Sequence, residues 1–412
     1  MSDLGTLAGG TNSYAYGVSA DGNVVVGRSL SSSVPSGEAF RWSQSTGMQS
    51  LQSLLVASGV NMTGWTLSSA QSVSADGTVI VGYGRQAGRQ EAWLARCSPL
   101  CNGLITVNTV AQSFAGQAAM GQTGNAAIGG MLGTMNEYAT QAKQSQGARN
   151  TPFSVFGYGS YDSDPVGSGT LGMTVDLARD IIIGATVGAN AIKTDMVFSG
   201  SAKMSGGNAG AFIARVPDAG LQWLAGIGGT TIKGDVTRGY LNGSGLTSSS
   251  GSTTANGYGA TARIGWTFDQ VWRATQVTPF ASYTYSMIHF NGYTETSGPF
   301  PAVFDGFNTT AQTSRVGADA RYTLAPGQWV WGTAAWAHRL DGGKSADITG
   351  TLIGLFGMTV PGASVARDWA ELTAGVRWAA WKNGAVTASL TASVPGHQAT
   401  TYLARIGLTQ AF

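Results

Sequence analysis

Apolar and polar side chains alternate with a step of two along most of residues 153–412. In 256–268, aromatic and aliphatic residues are concentrated at every second position, and glycine, threonine and arginine lie at the positions between them. The same division recurs in 314–324 and 364–380. This period is typical of β-strands, because successive side chains of a strand point to opposite faces. The pattern predicts an all-β domain over 153–412.

Twelve strands are expected from this alternation. Their spans are 153–162, 168–179, 181–195, 204–216, 221–234, 255–268, 275–291, 309–324, 328–340, 364–380, 384–394 and 400–412. Short turns are expected at 178–180, 217–220, 325–328 and 381–384, and long polar connections at 235–254, 292–308 and 341–363. Short turns at one end and long loops at the other are typical of a transmembrane antiparallel β-barrel.

Two features favour a barrel over a soluble β-sandwich, which would also alternate. Aromatic residues ten positions apart bracket the apolar faces, as in Tyr258 and Phe268 or Tyr402 and Phe412. Ten tilted residues rise about 25 Å, the height of the apolar band of an outer-membrane barrel, and aromatic girdles are expected at its borders. The chain also stops on Phe412 at the end of a strand, as expected if a closed barrel pairs its last strand with its first.

Charged residues of the alternating strands fall on the face opposite the apolar one, and a barrel would turn that face toward its lumen. The residues predicted to face the lumen are Arg263, Arg315, Asp319, Arg321, Glu371, Arg377 and Arg405. Two interpretations stay open for them: a lining that contacts a segment inside the pore, or a hydrated interior with mutual ion pairs. On the lipid side, an arginine near the midplane would cost about 2–4 kcal/mol.

The first hundred residues contain an internal repeat. The segment AYGVSADGNVVVG (15–27) recurs as AQSVSADGTVIVG (70–82), and EAFRW (38–42) recurs more weakly as EAWLA (91–95). An Asp-Gly pair between two apolar runs is a strong hairpin signal, so each unit is predicted to be strand, turn and strand. These motifs resemble the HAF-type extracellular repeats of bacterial surface proteins. Residues 1–102 are therefore assigned to a β-repeat region.

Residues 103–152 differ from both neighbours, because they are rich in Ala, Gly and Gln and poor in large apolar residues. A helix is predicted over 136–149, with Asn136 as its N-cap. With few residues able to build a core, this segment is interpreted as a linker whose helix lies in a wet environment. The domain order is then repeat region 1–102, linker 103–152 and barrel 153–412.

Composition narrows the function classes. Charged residues make up 11% of the 412 residues, well below the share of about 25% in ordinary soluble domains. The net charge of +2 gives no indication of a nucleic-acid partner. No run of about 18 apolar residues predicts a membrane helix. The first ten residues have no signal-peptide pattern, so an exported chain is expected to carry further sequence before Met1.

Cys97 and Cys101 are the only cysteines and lie four residues apart. A small disulfide loop is favoured over a metal site, since a structural metal needs about four ligands and the three histidines are distant in sequence. No catalytic or phosphate-binding motif is present. The sequence predicts no enzymatic activity, no metal and no cofactor.

Three segments carry a family resemblance: WVWGTAAWAHRL (329–340), ARDWAELTAGVRWAA (366–380) and ATTYLARIGLTQAF (399–412). They resemble the β-domain of classical (type V) autotransporters. The resemblance implies a twelve-stranded barrel in the outer membrane of a Gram-negative bacterium, with the linker helix in the pore. It also implies that the barrel carries an N-terminal passenger to the cell surface, here the repeat region, with adhesion as one role. A monomeric barrel in outer-membrane lipid is expected.

The same resemblance implies a C-terminal signal read by the barrel-assembly machinery, after delivery by periplasmic chaperones. Its residues here are Tyr402, Ile406, Leu408 and Phe412. Gln410 departs from the family pattern, which has an apolar or aromatic residue there. Two other functions stay open from the residues alone: an outer-membrane pore that conducts small solutes, and a soluble all-β enzyme.

Overall fold

A computed structural model describes residues 3–141, 153–163, 166–178, 180–362, 364–396 and 399–412. Three parts follow one another along the chain: a repeat region of small β-sheets, a helical segment, and a closed antiparallel β-barrel. The helical segment runs through the barrel. This architecture confirms the predicted fold class.

The repeat region consists of two antiparallel four-stranded sheets within the described residues 3–105. The strands are β1 (Ser13–Val18), β2 (Val24–Ser29), β3 (Glu38–Ser43) and β4 (Gly47–Ser50) in the first repeat, and β5 (Trp65–Val73), β6 (Val79–Gln86), β7 (Arg89–Cys97) and β8 (Cys101–Ile105) in the second. Helix α1 (Leu51–Ala57) connects the two sheets. Each repeat is thus a complete sheet, larger than the predicted hairpin.

Both predicted Asp-Gly turns are present, between β1 and β2 and between β5 and β6. Gly22 and Gly77 have φ values of +71° and +72°, a conformation that favours glycine. Asp21 accepts hydrogen bonds from the Ser19 side chain and from the backbone and side chain of Asn23. The bond from Ser19 is the main reason that the pKa of Asp21 is lowered. The sequence motif therefore encodes the turn chemistry directly.

Twelve strands of the described residues close into the barrel, and the last of them pairs with the first to complete it. They are β9 (Phe153–Asp162), β10 (Val166–Ala178), β11 (Ile181–Asp195), β12 (Ser201–Arg215), β13 (Gly220–Asn242), β14 (Gly245–Trp272), β15 (Thr275–Phe290), β18 (Phe307–Ala325), β19 (Gln328–Arg339), β22 (Asp368–Trp381), β23 (Gly384–Pro395) and β24 (Thr401–Ala411). All twelve predicted strands are found.

The barrel wall has an apolar outer face. Ile264, Leu408 and Val376 are 54%, 52% and 39% exposed on it. Between the outward residues of β14, Gly259 and Thr261 are buried inside the barrel. The prediction that alternate residues face the lumen and the outside is therefore correct for β14. Among the described residues, no helix combines the length and hydropathy needed to cross a membrane.

The prediction of a polar loop at 235–254 is wrong. β13 and β14 continue beyond the barrel and meet at a tight turn around Gly243 and Ser244. Gly243 and Ser244 form the two-residue loop, a Gly-Ser pair that is a hairpin signal, and backbone pairing within this hairpin satisfies the polar groups that a loop would expose to water.

The other two long connections contain short strands rather than irregular loops. Four of them form a small antiparallel sheet: β16 (Tyr293–Thr294), β17 (Ala302–Phe304), β20 (Ile348–Leu352) and β21 (Gly357–Val360). These connections lie at the same end of the barrel as the tip of the β13–β14 hairpin. We call this the long-loop end, and the opposite one the short-turn end.

The helical segment comprises α2 (Val107–Ala115) and α3 (Ala118–Gln141). Thr106 caps α2 by accepting a hydrogen bond from the Thr109 amide at 3.2 Å. The predicted N-cap, Asn136, is wrong, because this residue lies inside α3; the predicted span 142–149 lies outside the described residues. The sequence before Asn136 is small and polar and has weak helical periodicity, so it did not indicate that the helix starts earlier. The barrel wall supplies the contacts that stabilise this part of the helix.

Candidate functional site

Helix α3 lies against one wall of the lumen, which is formed by β10 to β15 and β18. Its large apolar residues repeat at helical spacing on one side, and all are buried: Met120, Ile128, Met131, Leu132, Met135 and Tyr138. The prediction that this segment has almost nothing to build a core is therefore corrected. The few large residues of α3 form one stripe, and the wall provides the rest of the core.

Glycines on the facing wall make room for this stripe. A Cβ atom at Gly257 or Gly259 would lie 2.7 Å from atoms of the Ile128 side chain, closer than a real contact allows. Gly228 faces Met131 and Gly210 faces Met135 in the same way. The glycines of β12, β13 and β14 thus form a groove for the helix, since only a residue without a side chain permits this approach.

Polar contacts fix the height of α3 in the lumen. Near its first turns, the Thr123 and Thr194 hydroxyls are 2.8 Å apart, and Asn125 accepts a hydrogen bond from Ser286 at 2.8 Å. Near its end, the Trp329 indole donates to Gln141 at 2.6 Å. Thr194 lies at the long-loop end of β11, and Trp329 follows a short turn. The helix therefore runs from the long-loop end to the short-turn end.

An acidic side chain of α3 forms an ion pair with a basic side chain of the barrel wall. Glu137 forms an ion pair with Arg405 at 3.2 Å and accepts a hydrogen bond from Ser389 at 3.0 Å. Both charged side chains are 10% exposed, so the pair is shielded from bulk water. Arg405 was predicted from the sequence to face the lumen, and here it contacts the helix that occupies the lumen.

Other charged residues from the predicted lumen set pair with one another. Arg315 makes two hydrogen bonds to Glu371, at 2.8 and 3.0 Å. Arg263 forms an ion pair with Asp319 and stacks over the Phe280 ring at 3.6 Å. The structure therefore contains both arrangements that the sequence left open: one ion pair to the helix, and mutual pairs within the wall.

Arg321 and Arg377 share an aromatic neighbour. Their guanidinium groups lie 5.4 and 5.0 Å from the centre of the Trp329 ring. Arg321 also donates a hydrogen bond to Gln276. A cavity of about 780 Å³ remains beside α3, lined by helix residues and by side chains of most barrel strands, chiefly β15, β18, β19, β22, β23 and β24. The lumen thus holds a packed helix on one side and a polar space on the other.

The residues of the predicted C-terminal signal lie on the outside of the seam that closes the barrel. Tyr402, Ile406 and Leu408 are exposed on the outer face of β24. Phe412 is 60% exposed, its amide donates to the Phe153 carbonyl at 3.0 Å, and the two rings are 5.9 Å apart. The last residue is therefore held against the first strand, while its ring stays accessible.

A second polar site at the long-loop end was missed in the sequence analysis. Arg238 and Glu295, with side chains 1% and 0% exposed, form a double hydrogen bond at 2.7 and 3.0 Å. Arg238 also donates to the Ser113 hydroxyl of α2 at 3.1 Å and to the Phe300 carbonyl at 2.6 Å. Burial raises the pKa of Glu295, and the hydrogen bonds from Arg238 oppose this shift.

This pair sits among the rings of Tyr240, Phe114 and Phe304, which lie 4.7, 5.5 and 5.9 Å from the Arg238 guanidinium. We call the assembly of α2, the upper β13–β14 hairpin and the connections 291–306 and 340–362 the cap. No sequence signal could have identified its central pair, because Arg238 and Glu295 are 57 positions apart and neither belongs to a motif.

Cys97 and Cys101 are joined by a disulfide at the turn between β7 and β8. Among the residues that the structure describes, no group of three His, Cys, Asp or Glu side chains is placed to hold a metal ion. The contacts described around α3 are packing, hydrogen bonds and ion pairs.

Comparisons with known proteins agree with this geometry. A family profile described as Autotransporter beta-domain matches residues 144–391. No curated protein sequence matches the chain. Among solved structures, the translocator domain of the autotransporter NalP from Neisseria meningitidis is 13% identical, with a TM-score of 0.54 over 74% of this chain and 100% of that chain.

Two further solved structures resemble the chain. The beta domain of the Bordetella autotransporter BrkA is 16% identical, with a TM-score of 0.40 over 64% of this chain and 99% of that one. The transport unit of the autotransporter AIDA-I from Escherichia coli is 13% identical, with a TM-score of 0.40 over 69% and 99%.

Proposed function

The chain belongs to the autotransporter β-domain family, and from this premise we propose that its barrel carries the N-terminal repeat region across the outer membrane and holds it at the cell surface. The observation that carries the proposal is the path of the chain. Helix α3 enters the lumen at the long-loop end and ends at Gln141, beside Trp329 at the short-turn end. The repeat region therefore lies at the mouth of the barrel that carries the long loops.

The barrel is a membrane-embedded monomer of the outer-membrane type. In such barrels the short turns face the periplasm and the long loops face the outside. Closure of β24 on β9 leaves no unpaired edge in lipid, where an unsatisfied backbone group would be costly. The 24 residues of α3 span about 36 Å, more than the apolar band of about 25 Å. One helix is thus long enough to connect the two sides.

Protease treatment of intact cells tests the proposal. With the chain exported by an added signal peptide, the repeat region is expected to be digested from outside, while 153–412 is retained in the outer membrane. A matched sample of broken cells controls for protease activity. If the repeat region is cut only after the cells are broken, it lies on the periplasmic side and the proposed direction is wrong.

The lipid-facing assignment gives a second prediction. Val376 is on the outer face of β22, whereas the neighbouring Arg377 is 2% exposed inside the barrel. Val376→Arg is expected to lower the free energy of unfolding in lipid by about 2–4 kcal/mol. Arg377→Met keeps most of the packing of the side-chain stem and is expected to cost less. Urea unfolding in lipid vesicles measures both, and the opposite ranking would contradict the assignment.

We further propose that Phe412, with Tyr402, Ile406 and Leu408, is read by the barrel-assembly machinery after periplasmic chaperones deliver the chain. The accessible ring of Phe412 supports this proposal. Deletion of Phe412 is expected to reduce folded barrel in cell membranes several-fold, with Phe412→Tyr as the conservative control. Refolding of the purified deletion variant in detergent should change little. Equal losses in both settings would indicate a purely structural role.

For the repeat region we propose a HAF-type passenger that acts in adhesion and has no enzymatic activity of its own. Its support is the repeated VSADG turn motif and the lack of a catalytic constellation in the sequence. Bacteria that display the chain should adhere to surfaces or to one another more than bacteria that display a variant without residues 1–102. Equal adherence by the two strains would refute this role.

A further inference from the structure

The sheets of the two repeats stack face to face, in the order in which they occur along the chain. We define the forward face of the first repeat by Val24, Val26 and Ala39, which cross-strand pairing places on the same side of its sheet. All three are buried in one core with Leu67 and Ile80 of the second repeat. The forward face of one repeat is therefore covered by the sheet that follows it, as in stacked-repeat proteins.

On the equivalent forward face of the second repeat, β7 and β8 are covered by the barrel instead, whereas Val81 and Tyr83 of β6 are 39% and 37% exposed. Along β7 and β8 the side chains alternate between two cores. Ala95 and Leu104 belong to the core between the repeats, whereas Ile105 belongs to the core of the cap and barrel, and Leu94 packs against it. The strand pair thus faces the first repeat on one side and the cap on the other.

Phe300 is the central cap residue on this forward face. Its side chain is fully buried, and a Cβ at Gly103 would lie 2.7 Å from its ring. Arg96, paired with Gly103 across the two strands, lies over the same ring at 5.7 Å and donates to the Ile353 carbonyl. The hydrogen bond from Arg238 to the Phe300 carbonyl holds this residue from the barrel side.

The tip of the β13–β14 hairpin adds hydrogen bonds to the repeat region. The Gly243 amide donates to the Leu104 carbonyl at 2.8 Å, and the Leu104 amide donates to the Asn242 side chain at 2.7 Å. The Ser244 amide donates to the Asn61 carbonyl at 2.7 Å. Five of the six groups in these bonds belong to the backbone, and together they span β8 and the connection between the repeats.

We propose that the cap is the docking surface for the second repeat and serves as the terminal unit of the repeat array. A repeat cannot bury its open face alone, and arrays need a capping unit at their ends. Here the loops and hairpin of the barrel supply that unit, so the barrel stabilises the fold of the passenger that it holds. The inference rests on the proposed function only for its location at the cell surface; the contact itself can be tested in purified protein.

The substitution Phe300→Ala in the full chain tests whether the cap stabilises the second repeat. The protection of the β7 and β8 amides against hydrogen exchange is expected to fall about 100-fold or more. Truncation of a buried aromatic side chain shifts the equilibrium between the docked and the open state by about this factor or more. Val303→Ala is the matched control, since it lies three residues away in the same connection and its side chain is 38% exposed. Unchanged protection of β7 and β8 in Phe300→Ala would overturn the proposal.

A cross-link tests the contact without removing a core residue. A Cβ at Gly245 would lie 3.3 Å from the Asn61 Cβ, close to the usual disulfide separation of about 3.5–4.5 Å. In a Cys97→Ser/Cys101→Ser background, the pair Asn61→Cys and Gly245→Cys is expected to form a disulfide that joins the repeat region to the barrel after proteolysis. Asn61→Cys with Gly342→Cys is the control pair, because Gly342 faces open space.

If both thiols of the Asn61–Gly245 pair stay free in folded protein, the docking surface is refuted. A failure of the proposed function looks different: the cross-link forms in purified protein, but the repeat region is inaccessible to protease on intact cells.

Discussion

Removal of residues 1–141 is expected to convert the barrel into an open channel. A helix about 10 Å across and about 36 Å long occupies about 2,800 Å³, and the cavity beside α3 measures about 780 Å³. The water-filled volume of the lumen would therefore increase substantially. Cap residues contributed by α2, including Phe114, would be lost as well. Conductance in planar bilayers is expected to rise several-fold.

The control for this experiment is a chain that lacks only residues 1–102. It retains α2 and α3 and is expected to conduct as little as the full chain, because the contacts of the helix with its glycine groove and with Arg405 persist. If the full chain, this variant and the barrel alone conduct equally, the helix does not close the pore. The remaining interpretation would then be an outer-membrane pore for small solutes.

Arg238→Met is expected to destabilise the cap by about 3–5 kcal/mol, the usual cost of removing one partner of a buried ion pair. The substitution leaves the Glu295 carboxylate enclosed, with the Ala302 amide at 2.9 Å as a remaining donor. It also removes hydrogen bonds to Ser113 and to the Phe300 carbonyl. Hydrogen exchange in α2 and in 291–306 measures the effect, and β22 to β24 serve as an internal reference.

The double variant Arg238→Met/Glu295→Met separates two contributions to stability: the cost of a buried, unpaired carboxylate and the net contribution of the ion pair. Replacing both members of a buried pair by apolar residues is often close to neutral, so the double variant is expected to recover much of the lost protection. A double variant that is worse than Arg238→Met would contradict this account. It would mean that the hydrogen bonds of Glu295 stabilise the cap independently of Arg238.

The strand content of the barrel could be predicted because strand alternation is a local property. The outward position of Ile264 and the buried position of Gly259 both follow from a step of two within one strand. Asp21 and Asp76 could likewise be assigned to turns, since their hydrogen bonds join residues two positions apart. For these features the neighbouring residues already contain the physical cause.

The linker and the long connections could not be predicted in the same way. Helix α3 has a stripe of only a few large apolar residues, and its stability depends on glycines more than 70 positions later in the chain, such as Gly210 and Gly257. The hairpin at 235–254 has a polar composition that resembles a loop, and its Gly243-Ser244 turn lies in a segment rich in other glycines and serines. Composition alone did not distinguish a solvated loop from strands that continue beyond the membrane.

By itself, the sequence determined twelve alternating strands, the side of the wall on which Arg263 and Val376 lie, the two Asp-Gly turns and the resemblance to a family. Each of these depends on the period of side chains along the chain or on a short motif. Only the tertiary structure decided that Arg405 pairs with Glu137, that Arg238 pairs with Glu295 and that the cap covers the second repeat. Barrel closure brings these residues together from distant positions, and ion pairing and burial depend on distance in space rather than along the chain.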